Sequence, residues 1–111
     1  MEGRGGGSMY GYLGSMKTKP GHRDEVVSIL LSGADGLRAA GCHLYVVGVS
    51  ETDDQTIWVS EVWESKAHHD GSLQLPETKA AIGKAMPMLT GEFDSHEFAV
   101  AGGLGVPSRP A

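Results

Sequence analysis

Two adjacent histidines, His68 and His69, are the side chains in this sequence best suited to move a proton near neutral pH. If their segment is helical, they point about 100° apart, so only one of them can face a neighbouring sheet. Glu61 and Trp63 come shortly before them and alternate with Ile57 and Val59 on one face of a strand-like segment. This grouping predicts a site where an acid or base lies beside an aromatic ring.

Each of these residue types also has a structural use. Trp63 can stack on a flat aromatic substrate or simply fill the core, and the sequence leaves both readings open. Glu61 shares its face with apolar groups, where a carboxylate must be paired. We therefore favour a structural role for Glu61, as an acceptor of hydrogen bonds from strand or helix termini, over a catalytic acid or base.

A second group of candidates lies on the first strand-like segment, Met9 to Thr18. Alternation places four side chains on one of its faces, namely Tyr10, Tyr12, Gly14 and Met16. Tyr12 could hydrogen-bond to a substrate oxygen, and the small Gly14 would leave room for a ligand above it. The alternative is a filled aromatic core, which we favour slightly.

The helices and strands that must position these residues follow from the spacing of apolar residues and from the glycine, proline and capping residues at the ends of each segment. Apolar spacing predicts a helix from His22 to Gly41, and Ser65 is a plausible N-cap for a short helix that Gly71 interrupts. The remaining predicted elements are a strand at Cys42 to Ser50, a turn at 51–55, a strand at Thr56 to Trp63, a helix at Pro76 to Met86 and a strand at Glu92 to Val100. The order βαββαβ predicts an α+β, ferredoxin-like antiparallel sheet with both helices on one face.

Composition limits the organisation of the chain. Its 111 residues fit one domain, which we place at residues 9–100. Residues 1–8 are glycine-rich and predict a disordered leader or linker, and residues 101–111 predict a flexible tail. The single cysteine, Cys42, excludes an intramolecular disulfide and a Cys-based zinc cluster, and no other metal-ligand motif is present.

Charge and hydropathy limit the classes of partner that we expect the protein to bind. Nine basic against fourteen acidic residues give a net charge of −5 without a basic run, which argues against nucleic acid. No stretch approaches the roughly 18 to 20 apolar residues of a membrane span, so we expect a cytoplasmic protein without a membrane partner. Strands two and three carry large apolar groups on both faces, which predicts that two sheets pack together in a homodimer.

Several motifs together resemble the antibiotic biosynthesis monooxygenase (ABM) domain family. They are Lys19-Pro20-Gly21 closing the first strand, Gly41-Cys42-His43 opening the second, and Glu61-x-Trp63-Glu64-Ser65 with His68 five residues beyond the tryptophan. The resemblance implies a dimeric α+β barrel with a pocket between sheet and helices in each subunit. It favours His68 as the general base or orienting group, Trp63 as its catalytic neighbour, and His69 as a substrate contact with Tyr10, Tyr12, Gly14, Met16 and Glu61.

The resemblance also bears on cofactors. Aligned on these motifs, haem-degrading relatives use an Asn, a Trp and a haem-ligating His where this chain has Gly14, Ser72 and Ile82, none of which can take those roles. Other relatives oxidise aromatic substrates with O2 and no cofactor, which needs an electron-rich substrate, a base and a dry pocket. We therefore expect a cofactor-independent monooxygenase acting on an aromatic, polyketide-like or quinol-like molecule. The alternatives are an isomerase or cyclase that uses the same pocket, and a dimer that only binds small aromatics.

Overall fold

The computed structural model describes residues 8–107, which form one antiparallel sheet covered by helices. The strands are β1 (Met9–Thr18), β2 (Cys42–Val49), β3 (Thr56–Trp63) and β4 (Leu89–Val100), arranged in the order β2-β3-β1-β4. The helices are α1 (Arg23–Ser32), α2 (Ala34–Leu37), α3 (Lys66–Ser72) and α4 (Pro76–Ala85), with 3-10 turns at Arg38–Ala40 and Met86–Met88. This is the predicted α+β, ferredoxin-like fold.

Two predicted helices differ from the observed ones. The helix expected from His22 to Gly41 is divided at Gly33 into α1 and α2, and its last turn, Arg38–Ala40, is a 3-10 turn. A glycine costs about 1 kcal/mol in a helix interior, which favours a break at Gly33. Conversely, α3 continues through Gly71 to Ser72, whose hydroxyl donates to the carbonyl of His69 at 2.6 Å. The Ser65 cap and this Ser72 hydrogen bond therefore hold the two ends of α3 and offset the free-energy cost of a glycine within the helix.

The last strand begins three residues earlier than expected, at Leu89. Leu89 pairs with Thr18 after an irregularity in β1, and the backbone N–H of Lys19 donates to the carbonyl of Met88 at 2.8 Å. The chain therefore enters the sheet directly from the 3-10 turn that follows α4.

The core lies between the helices and one face of the sheet, in two parts. The aliphatic cluster comprises Val26, Ile29, Ile57, Val59 and Ala85, and joins α1 and α4 to β3. The aromatic cluster comprises Tyr10, Cys42 and Trp63, and lies at the other end of the sheet. These two clusters bound the candidate site.

The opposite face of the sheet, which we call the outer face, is apolar and open to solvent. Val46, Trp58 and Phe98 remain 52%, 40% and 50% exposed on it. Gly11 allows the Phe98 ring to lie directly on β1, where a Cβ would come within 2.1 Å of the ring. This face is a large apolar surface that the fold leaves uncovered.

Helices in the described part of the chain are all too short to cross a membrane. Residues 101–107 follow β4 without forming a helix or strand. The predicted leader, apart from Ser8, and residues 108–111 of the predicted tail lie outside the described residues.

Candidate active site

A cavity of about 430 Å³ lies between the helices and the inner face of the sheet. Its floor is formed by pocket-side residues of β1 and β3, and its roof by α1, α3 and α4. Six of the predicted site residues line it, namely Tyr12, Gly14, Met16, Glu61, Trp63 and His69. Tyr10 and His68 are not among its lining residues.

Helix α3 decides which histidine enters the site. Ser65 caps the helix by accepting a hydrogen bond from the backbone N–H of His68 at 3.1 Å, as predicted. The same hydroxyl lies 2.6 Å from His68 Nδ1, so the His68 ring turns toward the helix start, where it contacts Gly41. The expected orientation of His68 is therefore wrong: its side chain is exposed.

His69 takes the inward position instead, with a side chain that is 12% exposed. Its ring stacks on Tyr12 at a centroid distance of 5.2 Å and lies 5.0 Å from Tyr10. The Trp63 ring is nearly perpendicular to it, at a centroid distance of 5.7 Å. Three aromatic rings therefore hold the imidazole in one orientation at the wall of the cavity.

A carboxylate completes this arrangement. His69 Nδ1 lies 3.0 Å from Asp70 Oδ1, and the hydrogen bond from His69 holds the pKa of the Asp70 carboxyl below its usual range. An ionised carboxylate only accepts hydrogen bonds, so Nδ1 carries the hydrogen. In neutral His69 the proton-accepting atom is therefore Nε2, as expected of a general base oriented by an acidic partner.

Glu61 forms the second polar group of the site. Trp63 Nε1 donates to Glu61 Oε1 at 2.7 Å, and burial raises the pKa of the Glu61 carboxyl. Glu61 is a hydrogen-bond acceptor as expected, but its donor is the Trp63 indole and not a strand or helix terminus, and the same side chain also lines the cavity. Trp63 is 1% exposed, so its ring both fills the aromatic cluster and contributes to the cavity wall.

Two expectations for β1 need correction. Tyr10 is a neighbour of Trp63 at the end of the sheet, and the ring of His69 packs against it, so it supports the site without lining the cavity. The space above Gly14 is filled by the Tyr12 ring, because a Cβ on Gly14 would come within 2.8 Å of that ring. Gly14 therefore makes room for Tyr12 and not directly for a ligand.

Sequence reasoning did not single out Tyr45 and Asp70. Tyr45 pairs with Glu61 across β2 and β3 and lines the cavity, and burial raises its pKa to about 12. Counting back from the hairpin turn at 51–55 would have placed it opposite Glu61. Asp70 could have been found as the acidic neighbour of a histidine.

The described residues, 8–107, bring together no group of three or more His, Cys, Asp or Glu side chains that could hold a metal ion. Cys42 is buried, and its thiol donates to the carbonyl of Leu44 at 3.2 Å. Burial raises the pKa of this thiol to about 11, so it is protonated near neutral pH.

Comparison with known proteins agrees with this fold. A protein from Chloroflexus aurantiacus J-10-fl that is named as an antibiotic biosynthesis monooxygenase is 39% identical to this chain. The alignment covers 90% of this chain and 100% of that chain, with a TM-score of 0.81. A similarly named protein from Caulobacter crescentus CB15 is 22% identical over 86% of this chain and 92% of its own, with a TM-score of 0.78, and shows the shared fold.

No curated protein matches the sequence. The family model for antibiotic biosynthesis monooxygenase matches residues 9–84, which include β1 to β3 and nearly all of α4. The chain therefore belongs to the antibiotic biosynthesis monooxygenase family.

Proposed function

We propose that this protein is a monooxygenase that oxidises an aromatic, hydroquinone-like or polyketide-like substrate with O2 and without a bound cofactor. The observation that carries the proposal is the His69–Asp70 pair at the wall of a largely apolar cavity, beside Glu61. A base in a dry cavity can produce and hold the substrate anion that reacts with O2. Family membership supports the same class of reaction.

The proposed reaction balances without an outside reductant. For a hydroquinone, His69 Nε2 takes a phenolic proton, and the anion passes one electron to O2. The two radicals combine by forming a C–O bond, which gives a ring peroxide. The peroxide takes back a proton, the ring C–H proton is lost, and cleavage of the O–O bond releases water and leaves a carbonyl. One hydroquinone and one O2 thus give one hydroxyquinone and one water, with all four electrons supplied by the substrate.

The other side chains have positioning roles in this proposal. Asp70 keeps the His69 lone pair on Nε2, and Tyr12 and Trp63 hold the imidazole ring in place. Glu61 accepts a hydrogen bond from a second substrate hydroxyl or returns a proton to the peroxide. His68 has no part in it, because its ring lies outside the cavity.

The test is O2 uptake by purified protein with a panel of hydroquinones and polycyclic phenols, with a no-enzyme control for autoxidation. We expect uptake above the control that is unaffected by chelator or added flavin. His69→Ala should lower kcat by about 10² to 10⁴, the usual contribution of a general base. His68→Ala is the matched control and should leave kcat within about threefold.

Two outcomes would redirect the assignment. Conversion of substrate without O2 consumption would favour an isomerase or cyclase that uses the same base. Binding without conversion in air would favour a dimer that only binds aromatics. Equal loss of activity in the two histidine variants would contradict the role given to His69.

A further inference from the structure

The cavity has two chemically different ends, and the strand register shows how they are arranged. Tyr12 and Tyr45 both pair with Glu61, so their pocket-side chains form one row across the sheet. The next row pairs Gly14 with Val59, and the row after that pairs Met16 with Ile57. Polarity therefore falls from one end of the sheet to the other along the cavity floor.

The roof follows the same division. His69 of α3 stacks on Tyr12 and lies over the polar row. Side chains of α1 and α4 cover the other rows. Those that line the cavity are Ile29 and Ala85 of the aliphatic cluster, Leu30 and Ala81, which pack against it, and the partly exposed Ile82. The cavity thus has a polar end, defined by Tyr12, Glu61 and His69, and an apolar end, defined by Met16 and these α1 and α4 residues.

Other polar residues that line the cavity are Ser15, Ser72, Glu77, Thr78, Asp94 and Ser95, and none of them is both charged and buried. Glu77, Asp94 and Ser95 are exposed, so their side chains are already hydrated. The buried Ser72 hydroxyl donates to the His69 carbonyl and lies at the polar end with that residue. A ligand group held between α1 and α4 would therefore meet mainly aliphatic side chains.

We propose that the substrate is an amphiphile with one polar head, namely a hydroxylated aromatic ring that carries a single apolar substituent. The hydroxyl groups of the ring bind at the Glu61–His69 end, and the substituent occupies the apolar end. A polar group on that substituent would lose its hydrogen bonds to water without replacement, which costs free energy. The identity of the ring as a phenol or hydroquinone rests on the proposed function. The division into a polar head and an apolar tail rests on the cavity alone.

The experiment measures the affinity of 4-alkylphenols and alkylhydroquinones for the protein under anaerobic conditions, by calorimetry. Lengthening the chain from methyl to pentyl should tighten binding about three- to fourfold per added CH2, the value for transferring a methylene out of water. A pentyl chain with a terminal hydroxyl should lose most of that gain. Affinity that does not change with chain length, or that is equal for the two pentyl probes, would overturn the proposal.

Neighbouring alanines of α4 provide a matched pair of variants. Ala81 lines the cavity, whereas Ala80 is exposed and does not. Ala81→Leu should shorten the longest chain accepted and weaken binding of the pentyl probe at least tenfold, with the methyl probe little affected. Ala80→Leu should bind both probes like the wild type, and equal behaviour of the two variants would contradict the assigned apolar end.

A second variant covers the case in which Ala81→Leu does not fold. Ile82 lines the cavity but is 43% exposed, so Ile82→Ser leaves the buried clusters intact. It should weaken the pentyl probe more than the methyl probe, and an equal effect on both would again count against the proposal.

Oxygen uptake with the same probes separates this inference from the proposed function. Chain-length dependence without O2 consumption would support the one-headed ligand and contradict the monooxygenase. Oxygen consumption without chain-length dependence would support the monooxygenase and contradict the one-headed ligand.

Discussion

At Glu61, the requirements of fold stability conflict with those of the candidate site. Its carboxyl group is buried beside apolar side chains, and the hydrogen bond from Trp63 Nε1 only partly offsets the loss of water, because its pKa remains raised. A raised pKa means that the folded protein favours the protonated form. The residue therefore costs stability when it is ionised, as expected of a group kept for chemistry or binding.

This predicts a pH-dependent effect of Glu61→Gln. The wild type should lose the stabilising effect of protonated Glu61 as pH rises from the ordinary carboxyl pKa of 4.5 through the raised folded value. Glutamine stays neutral and its carbonyl can still accept from Trp63, so the variant should gain stability relative to the wild type over this window. Urea denaturation from pH 4 to 8 measures the difference, and a difference independent of pH would contradict the prediction.

At the scale of elements, α3 determines the geometry of the site. It has only seven residues, a length at which a helix is not stable by itself, so its orientation depends on its cap and its packing. The Ser65 cap fixes the first turn, and the three aromatic contacts of His69 fix the face that meets the sheet. Lys66 adds a link by pairing with Asp70 at 3.4 Å and with Glu97 of β4 at 3.5 Å.

Removing the cap should therefore affect both stability and activity. Ser65→Ala is expected to lower the free energy of unfolding by about 1 kcal/mol, the usual worth of an N-cap. It should also reduce kcat, because His69 loses its fixed position. Ser65→Asp keeps a cap acceptor and should restore both, as thermal unfolding and O2 uptake would show. Loss of stability without any effect on turnover would separate the cap from the site.

At the scale of the whole molecule, the outer face is an apolar surface that the helices do not cover. Val46, Trp58 and Phe98 expose apolar area that one subunit does not cover. We propose that a second copy of the chain covers it, with the two sheets packed face to face as in the dimeric barrel that the family resemblance implies. Burial of such a face also helps a small domain, whose own core is limited.

A charge on this face tests the proposed dimer. Trp58→Lys should convert a dimer into a monomer in sedimentation experiments at micromolar concentration, because a buried unpaired ammonium is costly. Ala80→Lys places the same charge on an exposed residue of α4 and should leave the dimer intact. A wild-type species of 11.7 kDa alone would rule out the interface.

The sequence by itself determined the order of elements, the bounds of β1 and β3 and the Ser65 cap, because alternation and capping depend on residues close together in the chain. Only the tertiary structure decided that His69 and not His68 faces the sheet. Two consecutive helical positions differ by about 100°, and the choice between them depends on packing against Tyr10 and Tyr12.

The same distinction explains the other differences. The space above Gly14 depends on where the Tyr12 ring lies, and the break after Ser32 depends on whether packing supports a glycine in that helix. Tyr45 reaches the cavity through the register of β2 on β3, which shifts between Cys42 and Leu44. Local patterns specify which face of an element is apolar, whereas contacts between distant residues decide which single side chain enters the site.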